Sequence, residues 1–311
     1  MSNPSNWAAI LAGGDGRRLQ VFTRLVAGDE RPKQFCRLIG SRSLLAETTA
    51  RVCQYVEPDR VLYVLNRQHD RYYRDELRDV RRTKLIEQPS NRGTSAAIAY
   101  TLCRMRGASP HAAIGFFPAD HHFQNTAALR RTIAMAYGLA ETHPDRLMLV
   151  GARSERAETE YGWIEPGPIL EARRFGGAPS ARSVVRFHEK PSSDLAVQLF
   201  HRRCYWNTFI LVGRRAAFEQ LLAELLPDSW KQFEPIRQAR SAAEEAEIAE
   251  ALFATLPHSD FSRDVLSVRP ERLAVVSLLD SGWTDLGQPG RVLELMSHGG
   301  RPAPRLRLVA S

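Results

Sequence analysis

The chain has 311 residues, 43% of them apolar and 25% charged, a globular composition with room for one large core or two modest ones. The net charge is +8, but the arginines are scattered, without a block of like charges or aromatic–basic interleaving, so a solvated Arg-rich surface is favoured over a nucleic-acid face. No apolar stretch reaches the ~18 residues of a membrane span.

The N-terminal residues lack the basic region, apolar block and cleavage site of a secretory signal, and a cytoplasmic chain is expected. Cys36, Cys53, Cys103 and Cys204 are widely spaced and read as reduced thiols.

In chain order, apolar runs predict strands at 7–12, 60–65, 84–87, 112–117 and 146–151. Helical periodicity falls between them at 44–56, 68–80, 94–106 and 126–141. This alternation predicts a parallel sheet covered on both faces, with ligands beyond the carboxyl ends of its strands. Further strands are predicted at 161–167, 184–191 and 206–213, helices at 215–226 and 242–255, and an apolar run at 273–279. The Pro/Gly/Arg-rich end of the chain reads as a peripheral tail, 291–311, behind a domain of residues 1–290.

The first strand runs into LAGGDGRRL (11–19). Its glycines allow either an ordinary tight turn or a cradle in which backbone N–H groups close on a phosphate. The dinucleotide fingerprint fails at Leu19, and the Lys-Ser/Thr of a P-loop is missing. RPKQF (31–35) could bring Arg31 and Lys33 beside the same loop. Only four lysines occur, and a retained lysine among many arginines suggests a need for a compact point charge. Asp120, in FPADHH after the fourth strand, and Asp285, in GWTDLG after the last apolar run, are strand-end carboxylates. Each could hold Mg²⁺ through hard oxygen ligands, or could simply cap a helix. His121 and His122, adjacent in an extended segment, point apart and do not read as a zinc pair.

Taken in order, LAGGDGRRL, RPKQF, EQPSNRGTSAAI, FPADHH, YGWIEPG, FHEKP, WNTF and GWTDLG resemble the sugar-phosphate nucleotidyltransferases, and within them the mannose-1-phosphate guanylyltransferases. The resemblance spans residues 7 to 287. It implies an α/β fold, a Rossmann-like mixed, mostly parallel sheet with helices on both faces, and no C-terminal hexapeptide β-helix. The implied reaction joins an NTP to a sugar 1-phosphate, GTP and mannose 1-phosphate first, with Mg²⁺ as cofactor. By resemblance, Arg18, Lys33, Asp120 and Asp285 are catalytic, and the two aspartates hold the metal. Leu11, Gly13, Gly14, Gly16, Gln88, Pro89, Gly93 and Thr94 bind the nucleotide, with Gly93 letting the base come close. Gly162, Glu189, Lys190 and Asn207 bind the sugar phosphate, and Asp264 matches a related acidic segment.

The chain departs from the guanylyltransferase pattern in the linker 21–30, in Gly93-Thr94-Ser95-Ala96-Ala97, and in Phe209, where Trp-Asn-Ser-Gly is usual. A thymidylyl- or uridylyltransferase acting on glucose 1-phosphate, and a non-catalytic nucleotide-sugar sensor, are the alternatives on this fold. A nicotinamide oxidoreductase lacks its third glycine here, and a metal glycosyltransferase would carry Asp where His122 stands. The expected partners are the NTP and the sugar 1-phosphate, not nucleic acid or membrane, and there is room for a homodimer.

Overall fold

The computed structural model describes residues 6–171 and 180–298. Among the described residues, nine strands form one sheet: β1 (Trp7–Leu11), β2 (Val61–Asn66), β3 (Leu85–Gln88), β4 (Ala113–Pro118), β5 (Leu147–Arg153), β6 (Gly162–Glu171), β7 (Ala181–Glu189), β8 (Tyr205–Arg214) and β9 (Leu273–Leu278). The order is β3-β2-β1-β4-β8-β5-β9-β7-β6, with an added β8–β6 pairing. The block β3-β2-β1-β4 is parallel throughout. β8 then enters antiparallel between β4 and β5, and β7 runs against both β9 and β6. The sheet is therefore mixed, but only β7 and β8 of the nine described strands reverse its main direction.

The inner strands are nearly continuous apolar runs because both faces are covered. Alternate residues serve opposite cores: Val61, Tyr63 and Leu65 of β2 enter one cluster, Leu62 and Val64 the other. Helices 44–52, 126–142 and 242–255 start where Ser43, Asn125 and Ser241 side chains accept backbone N–H groups.

Three sequence expectations shift. The segment taken as a polar linker, 21–30, contains a helix, Gln20–Ala27, whose Phe22 is buried and whose end is closed by Gly28 at φ 80°. The helix read over 68–80 contracts to Asp70–Tyr73; over that stretch Tyr73 and Leu77 are the apolar side chains fully buried, and Tyr72 and Val80 are buried only in part. The domain boundary after residue 290 also moves. Pro289–His298 is a helix, and its Val292 is fully buried with Leu19, Phe22, Leu38, Leu44 and Leu286. This third cluster clamps the glycine loop to the loop bearing Asp285, and truncating Leu286 to Ala would cost about 2–5 kcal/mol. Residues 299–311 of the expected tail lie outside the described residues.

Candidate active site

The loops after β1, β3, β4 and β9 meet at one rim. Leu11, Gly13, Gly14, Gln88, Gly93, Thr94 and Asp120 all line a cleft of about 320 Å³. Asp15, Gly16, Arg17, Arg18, Lys33 and Gly287 line a neighbouring cleft of about 310 Å³. Asp120 and Asn91 belong to both and mark the seam. Pro89 follows Gln88 but is not part of either lining.

The glycine loop is shaped from below. Buried Gln34 donates to the carbonyls of Ala12 at 2.9 Å and Gly14 at 2.8 Å. A Cβ on Gly13 would press to 2.9 Å from the Gln88 amide, whereas one on Gly14 would meet open space. Gly16, at φ 65°, lies against Pro32, which brings RPKQF under the loop. Lys33 joins the site and Arg31 does not. The Arg31 guanidinium is held by Asp29 at 2.8 Å and stacks on Tyr72. Arg18 reaches across to Glu160 at 3.1 Å.

Lys33 is nearly enclosed, and its ammonium contacts Asp120 Oδ2 at 3.2 Å and donates to the Asp285 carbonyl. Burying an ammonium costs several kcal/mol unless it is paired, so these contacts fix the charge between the two carboxylate loops. A two-way bridge completes the join: His122 N donates to Thr284 O at 2.9 Å, and Thr284 N to His122 O at 3.1 Å.

Each aspartate is oriented. Asp285 Oδ1 accepts from Tyr161 Oη at 3.0 Å, Gly287 N at 2.9 Å and Arg291 Nη1 at 2.6 Å. Burial pushes its carboxyl up, but Lys33, His121, Arg291 and the Gly287 N–H outweigh burial and hold it below the usual range. Arg291 lies over the Tyr161 ring and pairs with Glu158 at 2.5 Å. Beside Asp120, His121 Nδ1 accepts the Trp283 indole N–H at 3.3 Å, which leaves Nε2 to carry the proton facing Asp120 Oδ1 at 3.6 Å. Burial lowers the His121 pKa against the opposing pull of Asp120 and Asp285.

Two carboxylates are hard oxygen ligands, and Asp285 still has Oδ2 free of the three donors on Oδ1. No cluster of three metal-ligating side chains occurs among the described residues. That donor set fits Mg²⁺, which takes one or two carboxylates and fills the rest with water and phosphate.

A second cluster adjoins the cleft. Gly162 pairs with Glu189 across β6 and β7, and a Cβ on Gly162 would lie 3.0 Å from Glu189 Oε2 and 3.3 Å from the Asn207 Cβ. Lys190, at φ 46°, approaches Glu189 at 3.7 Å and is more than half exposed. Burial raises the Glu189 carboxyl, and the nearby charge of Asp260 adds to the rise.

Two residues differ from their expected roles. Gly93, at φ 87°, makes room for protein backbone: a Cβ there would sit 2.1 Å from the Ser259 carbonyl oxygen. That contact ties the loop of residues 88–94 to residues 258–261, together with Phe261 N donating to Thr94 Oγ1 at 2.8 Å. Asp264 turns away from the cleft and accepts from Ser259 Oγ at 2.7 Å and Asp260 N at 2.9 Å. It braces the segment, while Asp260 and His258 line the cleft. Sequence reading missed Asp260, His258, Tyr161 and Arg291. Asp260 had a usable signal, four residues before Asp264 in the same acidic segment; Arg291 had none, because its reach depends on how the last helix docks.

Solved structures share this mixed α/β sheet. A Thermus thermophilus protein described as a mannose-1-phosphate geranyltransferase matches with a TM-score of 0.78 at 27% identity, covering 94% of this chain and 79% of its own. A Helicobacter pylori mannose-6-phosphate isomerase structure matches in fold, with a TM-score of 0.69 at 21% identity, over 90% of this chain and 99% of its own. The chain belongs to the nucleotidyl transferase family, whose profile matches residues 7–299. It is 28% identical over 301 residues to the mannose-1-phosphate guanylyltransferase of Escherichia coli, covering 94% of this chain and 60% of that protein. The alginate biosynthesis protein AlgA of Pseudomonas fluorescens is also 28% identical, with 89% and 56% covered. The chain thus spans less than two thirds of the length of these curated relatives. Among the described residues, no helix is long and apolar enough to cross a membrane.

Proposed function

We propose that this chain transfers a nucleotidyl group from an NTP to a sugar 1-phosphate, with GTP and mannose 1-phosphate as the preferred pair. The observation that carries this reading is Lys33, buried between the Asp120 carboxylate and the Asp285 loop where the two clefts meet. The similarity to guanylyltransferases supports the choice of substrates.

In the proposed reaction an oxygen of the sugar phosphate attacks the α-phosphorus, the new P–O bond forms, the bond to the β-phosphate bridge breaks, and pyrophosphate leaves. Such in-line transfer needs positioning and charge balance more than a protein base. The glycine loop offers backbone N–H groups to the phosphates, and Lys33 offsets their charge. Mg²⁺, held by Asp120 and Asp285, would supply further charge neutralisation at the phosphates. Tyr161, Arg291 and Gly287 hold Asp285 in place, and the His121 ring lies beside Asp120. Glu189, Asn207 and Lys190 are assigned to the sugar and its phosphate.

Gln88 directs its amide nitrogen at the Leu65 carbonyl, 3.4 Å away, which leaves its amide oxygen to accept a base N–H. Guanine N1–H fits, and so does N3–H of uracil or thymine, whereas adenine has no ring N–H on that edge. The uridylyl or thymidylyl alternative with glucose 1-phosphate therefore keeps one supporting observation. A pyrophosphate-release assay over GTP, ATP, UTP and dTTP with mannose and glucose 1-phosphates decides. The expected order puts GTP with mannose 1-phosphate first and ATP last. A higher kcat/KM for UTP or dTTP with glucose 1-phosphate overturns the guanylyl assignment, and no pyrophosphate from any pair overturns the transfer reading.

A further inference from the structure

Phe209 is a bulky residue in a backbone conformation that favours glycine, at φ 55°. Strain of this kind persists only where the surroundings over-determine it, and here they do. Phe209 N donates to Asn207 Oδ1 at 3.0 Å. The buried Thr208 hydroxyl donates to Val150 O at 2.7 Å and accepts from Ile210 N at 3.2 Å. The β5–β8 register slips at this point: Leu149 faces Leu211, but Gly151 faces Asn207, so β8 carries extra residues between the two pairs. A bulge of this kind re-aims a side chain out of the ladder. Phe209 is half-buried against the apolar cluster beneath the sheet and lines the same cleft as Pro118, Asp120, His121 and Asp260. It is also two residues from Asn207, whose Cβ would lie 3.3 Å from a Cβ placed on Gly162.

We infer that Phe209 is a specificity-determining residue for the acceptor: its ring is a fixed apolar wall that admits a hexose 1-phosphate and excludes one carrying an acylamino group. This rests on the nucleotidyl-transfer reading above. The bulge sets the direction of the Phe209 Cα–Cβ bond, so the ring stays rooted at the cleft and can pivot only about its own side-chain torsions. An apolar ring packs against the C–H face of a pyranose but has no partner for an amide, whose burial unpaired is costly.

The test uses Phe209→Gly and Phe209→Asn, since both residues tolerate positive φ and both remove the ring. Acceptors are glucose 1-phosphate, mannose 1-phosphate and N-acetylglucosamine 1-phosphate, each with the preferred NTP. The expected result is that kcat/KM for the acetamido sugar, relative to the best hexose, rises about tenfold or more in both variants. The Tm of Phe209→Gly should fall less than that of Phe209→Ala, because both lose the packing of the ring but only glycine relieves the strain. If the ring were only a core side chain, both variants would leave the ratio unchanged, and that outcome overturns the inference. Calorimetric binding of the corresponding nucleotide-sugars runs alongside. A wild type that releases no pyrophosphate counts against the transfer reading, and the shift in the ratio of Kd values then decides Phe209 alone. Binding ratios equal in wild type and variants, or no binding by any of the three, overturn it.

Discussion

The two halves of the site are built differently. On the β3-β2-β1-β4 side, the glycine loop is braced by Gln34, Gly16 is packed on Pro32, and Lys33 is enclosed by Asp120 and the Asp285 loop. On the β6-β7-β8 side, Lys190 is exposed with one long contact to Glu189, and Lys190 and Phe209 both sit at positive φ. The first half is a closed lattice of contacts within the protein. Positive φ is not confined to either half, because Leu286 beside Asp285 sits at φ 51°, but the second half leaves its lysine exposed. Preorganised charge contributes most where negative charge accumulates, and an adaptable lysine suits recognition of one substrate.

The comparison breaks first at the carboxylates. Asp120→Asn and Asp285→Asn should each lower kcat by about 10²–10³-fold, and chelation of divalent cations should abolish turnover. The two should differ in stability. Asp285, 13% exposed, holds Arg291, whereas Asp120 is 29% exposed at the cleft. Each loss leaves a buried cation short of a partner, Lys33 or Arg291, but Asp285 also accepts from Tyr161 and Gly287, so its variant should melt measurably lower than Asp120→Asn. Full turnover by Asp285→Asn in limiting Mg²⁺ refutes the metal assignment, and equal Tm values refute the asymmetry.

A smaller effect separates the lysines. Lys33→Ala should depress kcat and raise KM for the NTP, because its charge is 10% exposed and fixed. Lys190→Ala, at a side chain 56% exposed, should act chiefly on KM for the sugar 1-phosphate and leave Tm unchanged. Small and equal effects on both substrates would mean that both lysines are merely structural.

The smallest effect concerns acid. His69 is buried beneath Asp15, and burial lowers its pKa from 6.5 against the opposing pull of that carboxylate. The unfolded chain therefore takes a proton near pH 6.5 that the folded chain accepts only at lower pH, so stability declines as pH falls below 6.5. His69→Gln should flatten part of the fall in Tm between about pH 7 and pH 5. His121, His122 and His188 are lowered too, so some slope remains. An unchanged slope in the variant removes His69 from the account.

Several features were legible from residues alone. Apolar runs located strands β1 to β5, β8 and β9 to within a few residues, because buried strands must be apolar whatever their neighbours are. LAGGDGRRL, Asp120 and Asp285 stood out because glycine clusters and strand-end carboxylates mark loops at a sheet rim. Arg31 was drawn toward the site by proximity in sequence and Asp264 by the family resemblance, yet each is taken by a local partner, Asp29 and Ser259.

Local composition and periodicity thus determined which segments are strands or helices and which loops carry charge. Tertiary structure decided the rest. Nothing in WNTFILVG says that β8 enters between β4 and β5, yet that insertion aims Phe209 into the cleft. Nothing in the last helix says that Arg291 reaches Asp285 and Glu158. Nothing around Gly93 says that the Ser259 backbone fills the space above it. The physical reason is common to all three. Hydrophobic patterning is short-range and non-directional, whereas a bulge, a buried ion pair and a backbone–backbone contact depend on which distant segment packs there.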